Sequence, residues 1–471
     1  MKGSGCVEKA FKMRGGWPLG VLAIVVAGGL AVLTWCAVVR LEGEGPSVAL
    51  DAPSPTIIGK STELTLGLAD PKSGLRRLRA ELSKDGKDIV LADVAFPASG
   101  FWGLENVRSA TQKLKIDPAA LGLSDGKGLL RITVADGSWR NWWHGNRTDI
   151  QREIVIDTKP PVIENLNQQN YVNQGGAGLA VYRLSEPCPS SGVRVGGTFY
   201  PGTSGYVADT AIYIAFFALS YQQGAGTEIA LEATDAAGNS ARSRYPYHFR
   251  KKTFKKDTLN VSDGFISQIL PEFHALLPAK SNPTLKERFL FINRDLRGAN
   301  YQSIVEVTRK SEPAMLWKGP FLRLPNSAPR AGFADRRTYL YEGKEIDQQD
   351  HLGVDLASLA HSPVPAANSG VVVYTGVLGI YGQTVILDHG FGVFSMYSHL
   401  SRITVRTGER VAKEGILGNT GSTGLAGGDH LHFSIMIHPT FVDPIEWWDP
   451  HWLQDNVMLK LESARGGSGK G

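Results

Sequence analysis

Cysteine is nearly absent from this chain of 471 residues; Cys6, Cys36 and Cys188 are the only three. Cys6 precedes a long apolar run and Cys36 lies within it, so only Cys188 belongs to a folded region. A disulfide framework and a multi-cysteine metal site are therefore excluded there, and any metal has to be held by histidines and carboxylates. A surplus of charge is missing too. Fifty Lys and Arg against 45 Asp and Glu leave a net +5, too thin over this length to argue for a nucleic-acid partner. No H-E-x-x-H helix occurs, so a glutamate general base of that type is not indicated. Neither short-period repeats nor long low-complexity tracts are present.

Charge vanishes altogether from "WPLGVLAIVVAGGLAVLTWCAVV", residues 17–39. At 1.5 Å per residue this run reaches roughly 34 Å, enough to cross a hydrocarbon core. Lys2, Lys9, Lys12 and Arg14 stand before it, and only Arg40 follows closely. The positive-inside rule then places residues 1–16 in the cytoplasm and everything beyond Arg40 outside. A cleaved signal peptide is the rival reading. The length of the run and the want of a small-x-small cleavage site favour an uncleaved, single-pass anchor.

What is present beyond the anchor is mostly β, and the length predicts two to four domains. Over 48–158, short alternating runs such as "TELTLGLAD" and "LLRITVAD" are separated by Gly, Pro, Asp and Ser turns, which predicts a β-sandwich. The pair Pro160–Pro161 breaks the chain, and a second β module follows over 159–250. Its "D-x-x-G-N" turn and the "D-T-x-P-P" junction resemble bacterial immunoglobulin-like modules. "KKTFKK" reads as a hydrophilic hinge opening a helical connector, 251–312. There Leu285, Phe289, Ile292 and Leu296 form an apolar stripe, with Asn282 as cap, Pro283 in the first turn and Gly298 at the exit. This connector is expected to pack on, or shield, the domain that follows. Residues 313–455 are β again and dense in glycine turns, and 456–471 read as a flexible tail. "WRNWWHGN", 139–146, is read as a core or inter-domain contact ahead of a sugar-stacking surface.

Histidine is concentrated in one place: eight of the eleven fall between 351 and 451. "DHLGVDLAS" offers His351 and Asp355, four apart, a pair of ligand types suited to zinc, with Gly353 allowing a tight bend between them. In "HLHFSIMI" alternation puts His430, His432, Ser434 and Met436 on one face of a strand and Leu431, Phe433, Ile435 and Ile437 on the other, in a core. Two imidazoles on one face can share a metal environment, and the preceding glycine-rich loop "GNTGSTGLAGGD" lets backbone approach a ligand closely. "MYSHLS" adds His399 at a strand end. Each stretch alone is weak. A loop histidine beside a solvated Asp, two exposed strand histidines and a surface Tyr/His pair would account for them singly.

Taken in order, "H-x-G-x-D", "Y-x-H-L" and "G-x-T-G-x-T-G … H-L-H-F" resemble the lysostaphin-type (LytM-like) zinc endopeptidases, which cut peptide bonds in peptidoglycan. The resemblance covers roughly 318–450. It implies an antiparallel β fold, the duplicated hybrid motif, with a groove across the sheet. It further implies zinc held by His351, Asp355 and His432, with His399 and His430 as the non-ligand catalytic histidines. Three protein ligands leave a position open, as a catalytic zinc requires, and zinc lowers the pKa of a bound water towards about 7. His430 would then act as general base and His399 would stabilise the oxyanion, although the two could exchange tasks. The chain departs from the family at Ser434, where many members have a glutamate, and in the longer "LAGGD" loop. His361, His389, His438 and His451 are read as structural.

The expectation is a membrane-anchored, zinc-dependent endopeptidase of peptidoglycan stem peptides or cross-links. Its ectodomain would be periplasmic or extracellular, facing the cell wall, with β modules that leave room for cell-envelope protein partners. Two other classes compete: a non-catalytic regulator that binds and activates another wall hydrolase, and a binding protein or adhesin whose C-terminal domain merely holds zinc. The regulator typically lacks ligands, and a structural zinc would call for a fourth protein ligand.

Overall fold

The computed structural model describes residues 17–97, 106–167, 169–277 and 282–467. The basic residues ahead of the apolar run lie outside them. The protein is mostly β, with one apolar N-terminal helix and many antiparallel sheets, and it separates into two compact units.

The first unit comprises residues 1–159 and Ala237–Asn239. Its helix Trp17–Arg40 is long and apolar enough to cross a membrane. Behind it, Ser47–Leu50, Thr62–Ala69 and Ser109–Ile116 form a three-stranded sheet. A five-stranded sheet runs Thr56–Ile58, Arg147–Ile156, Gly126–Asp136, Leu75–Lys84, Lys87–Ala95. Both sheets turn apolar faces to one core. Leu78, Ala80 and Leu82 are buried on alternate positions while Arg77 and Arg79 face water, the period-two pattern of a half-buried strand. The tryptophan cluster is not core. Three successive residues, Asn141, Trp142 and Trp143, adopt positive φ, and Trp142 is 90% exposed.

The second unit runs over 160–236 and 240–471. Residues 160–236 thus pack in one unit with the C-terminal region. Val181, Phe216 and Leu231 share one hydrophobic core with Val354, Phe394 and Trp447. Glu446 joins the two parts chemically. Its carboxylate is buried and accepts from Ala177 N at 2.9 Å and Asn173 Nδ2 at 2.6 Å, and burial pushes its pKa up to about 7.

The connector is helical but differs in its ends. Lys256–Asn260 is a strand, paired in parallel with Arg336–Tyr341, and only Lys256 of the lysine-rich stretch belongs to it. Helix Asp263–Phe273 follows. Thr284, not Asn282, caps the next helix, in a capping box with Glu287. Gly298 does not end it, because the chain runs through a π-helical turn, Phe291–Leu296, into helix Arg297–Val307. Phe289, Ile292 and Leu296 of the stripe are buried as expected. At the other end Leu459–Gly467 is a helix that buries Leu461 and Ala464, where a flexible tail was expected. Its apolar positions find a core to enter, which outweighs its glycine content.

The site depends on the largest sheet. Its order is Ala328–Ala331, Val354–Ala357, Leu431–Ile437, Val393–Leu400, Gln383–Asp388, Gly370–Val377, Arg410–Val411, with Thr440–Val442 also on Leu431–Ile437. A central strand is covered on both faces, so every residue of Leu431–Ile437 is buried, including the histidine-bearing face.

Replacing Glu446 with alanine leaves Ala177 N buried without an acceptor. The variant should lose about 1–3 kcal/mol, measured as a fall in urea midpoint with an unchanged m-value.

Candidate metal centre

Strand pairing assembles a corner of histidine and aspartate side chains that could hold a metal ion. Asp355 lies directly opposite His432 across the antiparallel ladder, which puts their side chains on one face. His351, four residues before Asp355, enters from the loop that precedes the strand. Its Nε2 lies 2.9 Å from Asp355 Oδ1 and 2.9 Å from His432 Nδ1, and the last two atoms are also 2.9 Å apart.

Hydrogen bonds fix which atoms face inward. His351 Nδ1 is 2.8 Å from Gly332 O; a carbonyl only accepts, so Nδ1 carries the proton and Nε2 the lone pair. Ser434 donates to Leu352 O at 2.8 Å and so accepts from His432 Nε2 at 3.1 Å, leaving His432 Nδ1 unprotonated. Two nitrogen lone pairs and a carboxylate oxygen thus confront one another across 2.9 Å with no proton between them, a set that fits a cation. Ser434 is the residue that orients His432. Gly353 is needed for contact, beyond any bend. A Cβ there would lie 2.6 Å from His432 Nε2 and 2.6 Å from Ser434 Oγ.

Asp355 divides its two oxygens. Oδ1 faces the histidines, and Oδ2 accepts from Arg337 Nη2 at 3.0 Å. Burial pushes this carboxyl up, but the surrounding histidines outweigh it and hold it well below the usual carboxylate range.

The other two histidines are brought to the same corner. The rings of His399 and His430 are 4.8 Å apart, and His399 is 5.8 Å from His432. Strand alternation alone would turn His399 away, because its neighbour Ser398 is the residue opposite His432. A β-bulge corrects this. Ser398 and His399 both face Thr384, and His399 takes φ +61°, a conformation rare outside glycine that re-aims the side chain. Its Nδ1 donates to Thr423 O at 2.8 Å. The glycine-rich loop serves this bond, since a Cβ on Gly424 would strike Gly382 N at 2.4 Å. His430 Nδ1 similarly donates to Gly428 O at 2.8 Å, and its Nε2 lies 3.5 Å from Asp355 Oδ1.

Burial and the two neighbouring histidines push His399 down to about 3, and burial takes His432 to about 4. For His430 burial also lowers the pKa, but Asp355 outweighs it and the net shift is upward. Of the histidines expected to be structural, His389 is fully buried, bonded to Ser369 O and Ser395 Oγ, and held down to about 4 by burial. His438 bonds Thr308 O, while His361 and His451 are exposed.

All five site residues line one cavity of about 280 Å³. Its far wall comes from the connector: Leu259, Val261, Phe265, Phe289 and Arg297, with Arg337 and Tyr339. Phe289 belongs to the apolar stripe of a connector expected to pack on or shield this domain, whereas Arg297, Arg337 and Tyr339 have no sequence signal, because nothing local marks a side chain that acts from a distant segment.

Two predictions follow from this geometry. Gly353→Ala should weaken metal retention at least tenfold in a chelator-competition titration while leaving the first β unit folded. In metal-free protein, His389, His399 and His432 are neutral in the fold and have pKa values below the ordinary ~6.5. The unfolded chain therefore binds more protons between those values, so stability present above pH ~6.5 should fall towards pH ~4, read as a declining thermal midpoint.

Residues 349–444 match the family model described as peptidase family M23. The "DD-carboxypeptidase/endopeptidase Mpg" of Neisseria meningitidis serogroup B is 37% identical over 95 residues, 20% of this chain and 22% of that protein. The "Peptidoglycan DD-endopeptidase ShyA" of Vibrio cholerae is 36% identical over 87 residues, 18% of this chain and 20% of that protein. The chain thus spans about a fifth of the length of the curated relatives it matches. The solved catalytic domain of lysostaphin from Staphylococcus simulans is 28% identical, covers 28% of this chain and 98% of its own, and has a TM-score of 0.24. The C-terminal domain of this chain is a peptidase M23 domain of the LytM/lysostaphin type.

Proposed function

We propose that the protein is a zinc-dependent endopeptidase that hydrolyses peptide bonds in peptidoglycan stem peptides or cross-links. The observation that carries this reading is the meeting of His351, Asp355 and His432 at 2.9 Å with two further histidines in the same cavity. His351 Nε2, Asp355 Oδ1 and His432 Nδ1 would hold the zinc, a donor set that leaves a position open. These three atoms, each 2.9 Å from the other two, are close enough to share one cation. Bound zinc supplies Lewis acidity and lowers the pKa of water at neutral pH.

The remaining steps belong to the chain. With Nδ1–H fixed on Gly428 O, His430 accepts the proton of the attacking water at Nε2. Asp355, 3.5 Å away, balances the charge that His430 gains. His399 has its Nδ1–H committed to Thr423 O, so it meets the oxyanion through Nε2. It is neutral at rest and donates there only after taking up a proton from solvent, an uptake that burial disfavours and the developing negative charge favours. Arg337 holds Asp355 Oδ2 and keeps the carboxylate presenting one oxygen.

The site of action follows from the N-terminal helix. We take it as a single-pass anchor with the N-terminus inside and the peptidase domain facing the wall, and the relatives' names agree with a wall substrate.

Sacculi incubated with the full chain should release new peptide fragments, and a chelator should abolish them. His430→Ala should lower turnover by about 10²–10⁴. kcat/KM should rise with pH along the limb on which His430 loses its proton, because only the neutral ring accepts one from water. Sacculi left intact, with another hydrolase stimulated in the same mixture, would support a regulator instead.

A further inference from the structure

The cavity over the metal-binding corner contains two guanidinium groups of unlike standing. Arg337 is paired with Asp355. Arg297 lines the same cavity and has no carboxylate partner among the described residues. It sits where the π-helical turn Phe291–Leu296 passes into helix Arg297–Val307, and such turns recur at functional sites.

One edge of this guanidinium is clamped. Nε donates to Asn293 O at 3.1 Å and Nη2 to Asn293 Oδ1 at 2.7 Å. Asn293 is fully buried and donates to Asp347 Oδ2 at 2.7 Å, while Asp347 is itself paired with Arg294 at 2.8 Å. Nη1 and the second N–H of Nη2 have no acceptor among the described residues. The helix cannot drift from the metal corner, because Asn300 Oδ1 accepts from Ile380 N at 2.9 Å. The adjoining Tyr381 feels the Arg297 charge at its buried phenol, and its ring lies 5.6 Å from that of His432.

A half-buried guanidinium without an anion is an unfavourable arrangement. The partner that best fits its free end is a carboxylate held through two parallel N–H···O bonds. We propose that Arg297 binds a free carboxylate of the substrate, so that the cavity selects peptides bearing one near the scissile bond over neutral peptide bridges. The neighbouring Leu259, Val261, Phe265 and Phe289 suit the aliphatic part of the same residue. The inference rests on the peptidase reading for what enters the cavity, but it concerns binding and does not require turnover.

The test uses the full-length, zinc-loaded protein in detergent, in a His430→Ala background so that bound peptide is not consumed. Two synthetic stem-type tetrapeptides, identical except for a free or an amidated C-terminal carboxylate, are titrated by calorimetry. The free acid should bind about tenfold or more tightly. Arg297→Gln should erase that preference, and Arg297→Lys, which keeps the charge and loses the fork, should retain part of it. With His430 restored, Arg297→Gln should raise KM for the free acid with kcat little changed. Thermal midpoints report folding, and if Arg297→Gln unfolds, Arg297→Lys decides. Equal affinities for the two peptides, a preference that survives Arg297→Gln, or no binding of either peptide overturns the inference. Absence of cleavage by the wild-type chain with carboxylate-dependent binding intact overturns the peptidase reading alone.

Discussion

Three acceptor atoms held face to face is an arrangement that costs energy until a cation fills it, and much of the C-terminal domain serves to keep it in place. His351 is pinned through Gly332 O, His432 through Ser434, and Asp355 through Arg337. None of these three supports can move without freeing a ring or a carboxylate to turn away. The supports are in turn anchored. Ser434 is fixed on Leu352 O, Gly353 gives it room, and Arg337 belongs to a strand paired on both sides. Orientation by such outer partners commonly matters to metal affinity nearly as much as the ligands do.

The same logic explains why the domain is not free-standing in this chain. Its sheet is covered on both faces, and the second β region and the terminal helices supply part of that cover through a common core. Glu446, buried and hydrogen-bonded to Ala177 and Asn173, makes the attachment specific in geometry. The connector contributes a wall to the cavity, so the chemistry sits at a junction of segments. A groove that would otherwise be open along one side is bounded here by apolar residues and one clamped arginine.

Much of the site was legible because metal chemistry constrains residue type and spacing tightly. His351, Asp355, His399, His430 and His432 were all named from motifs, and the structure gathers them in one cavity. What was not legible is instructive. Alternation implied a polar face for the histidine strand, but a central strand has no solvent face. Alternation also could not say how His399 reaches a corner that its neighbour Ser398 already faces; the bulge opposite Thr384 does that, and bulges have no local signature of their own. The spacing of the glycine-rich loop suggests room for a ligand, but a Cβ on Gly418, Gly421 or Gly424 would strike neighbouring backbone instead, at Arg402 O, Ser401 N and Gly382 N. Gly298 looked like a helix exit because glycine is common there, but burial of the flanking stripe carried the helix onward.

Residue type and short-range period were enough to read the β-rich character, the apolar N-terminal segment and the histidines and aspartate that meet in the cavity. Only the tertiary structure decided that the second β region shares the peptidase core and that residues 459–467 are helical. It alone placed Arg337 behind Asp355 and Arg297 over the cavity. Those facts depend on which surfaces meet across long stretches of chain, and the free energy of such meetings is not written in any one segment.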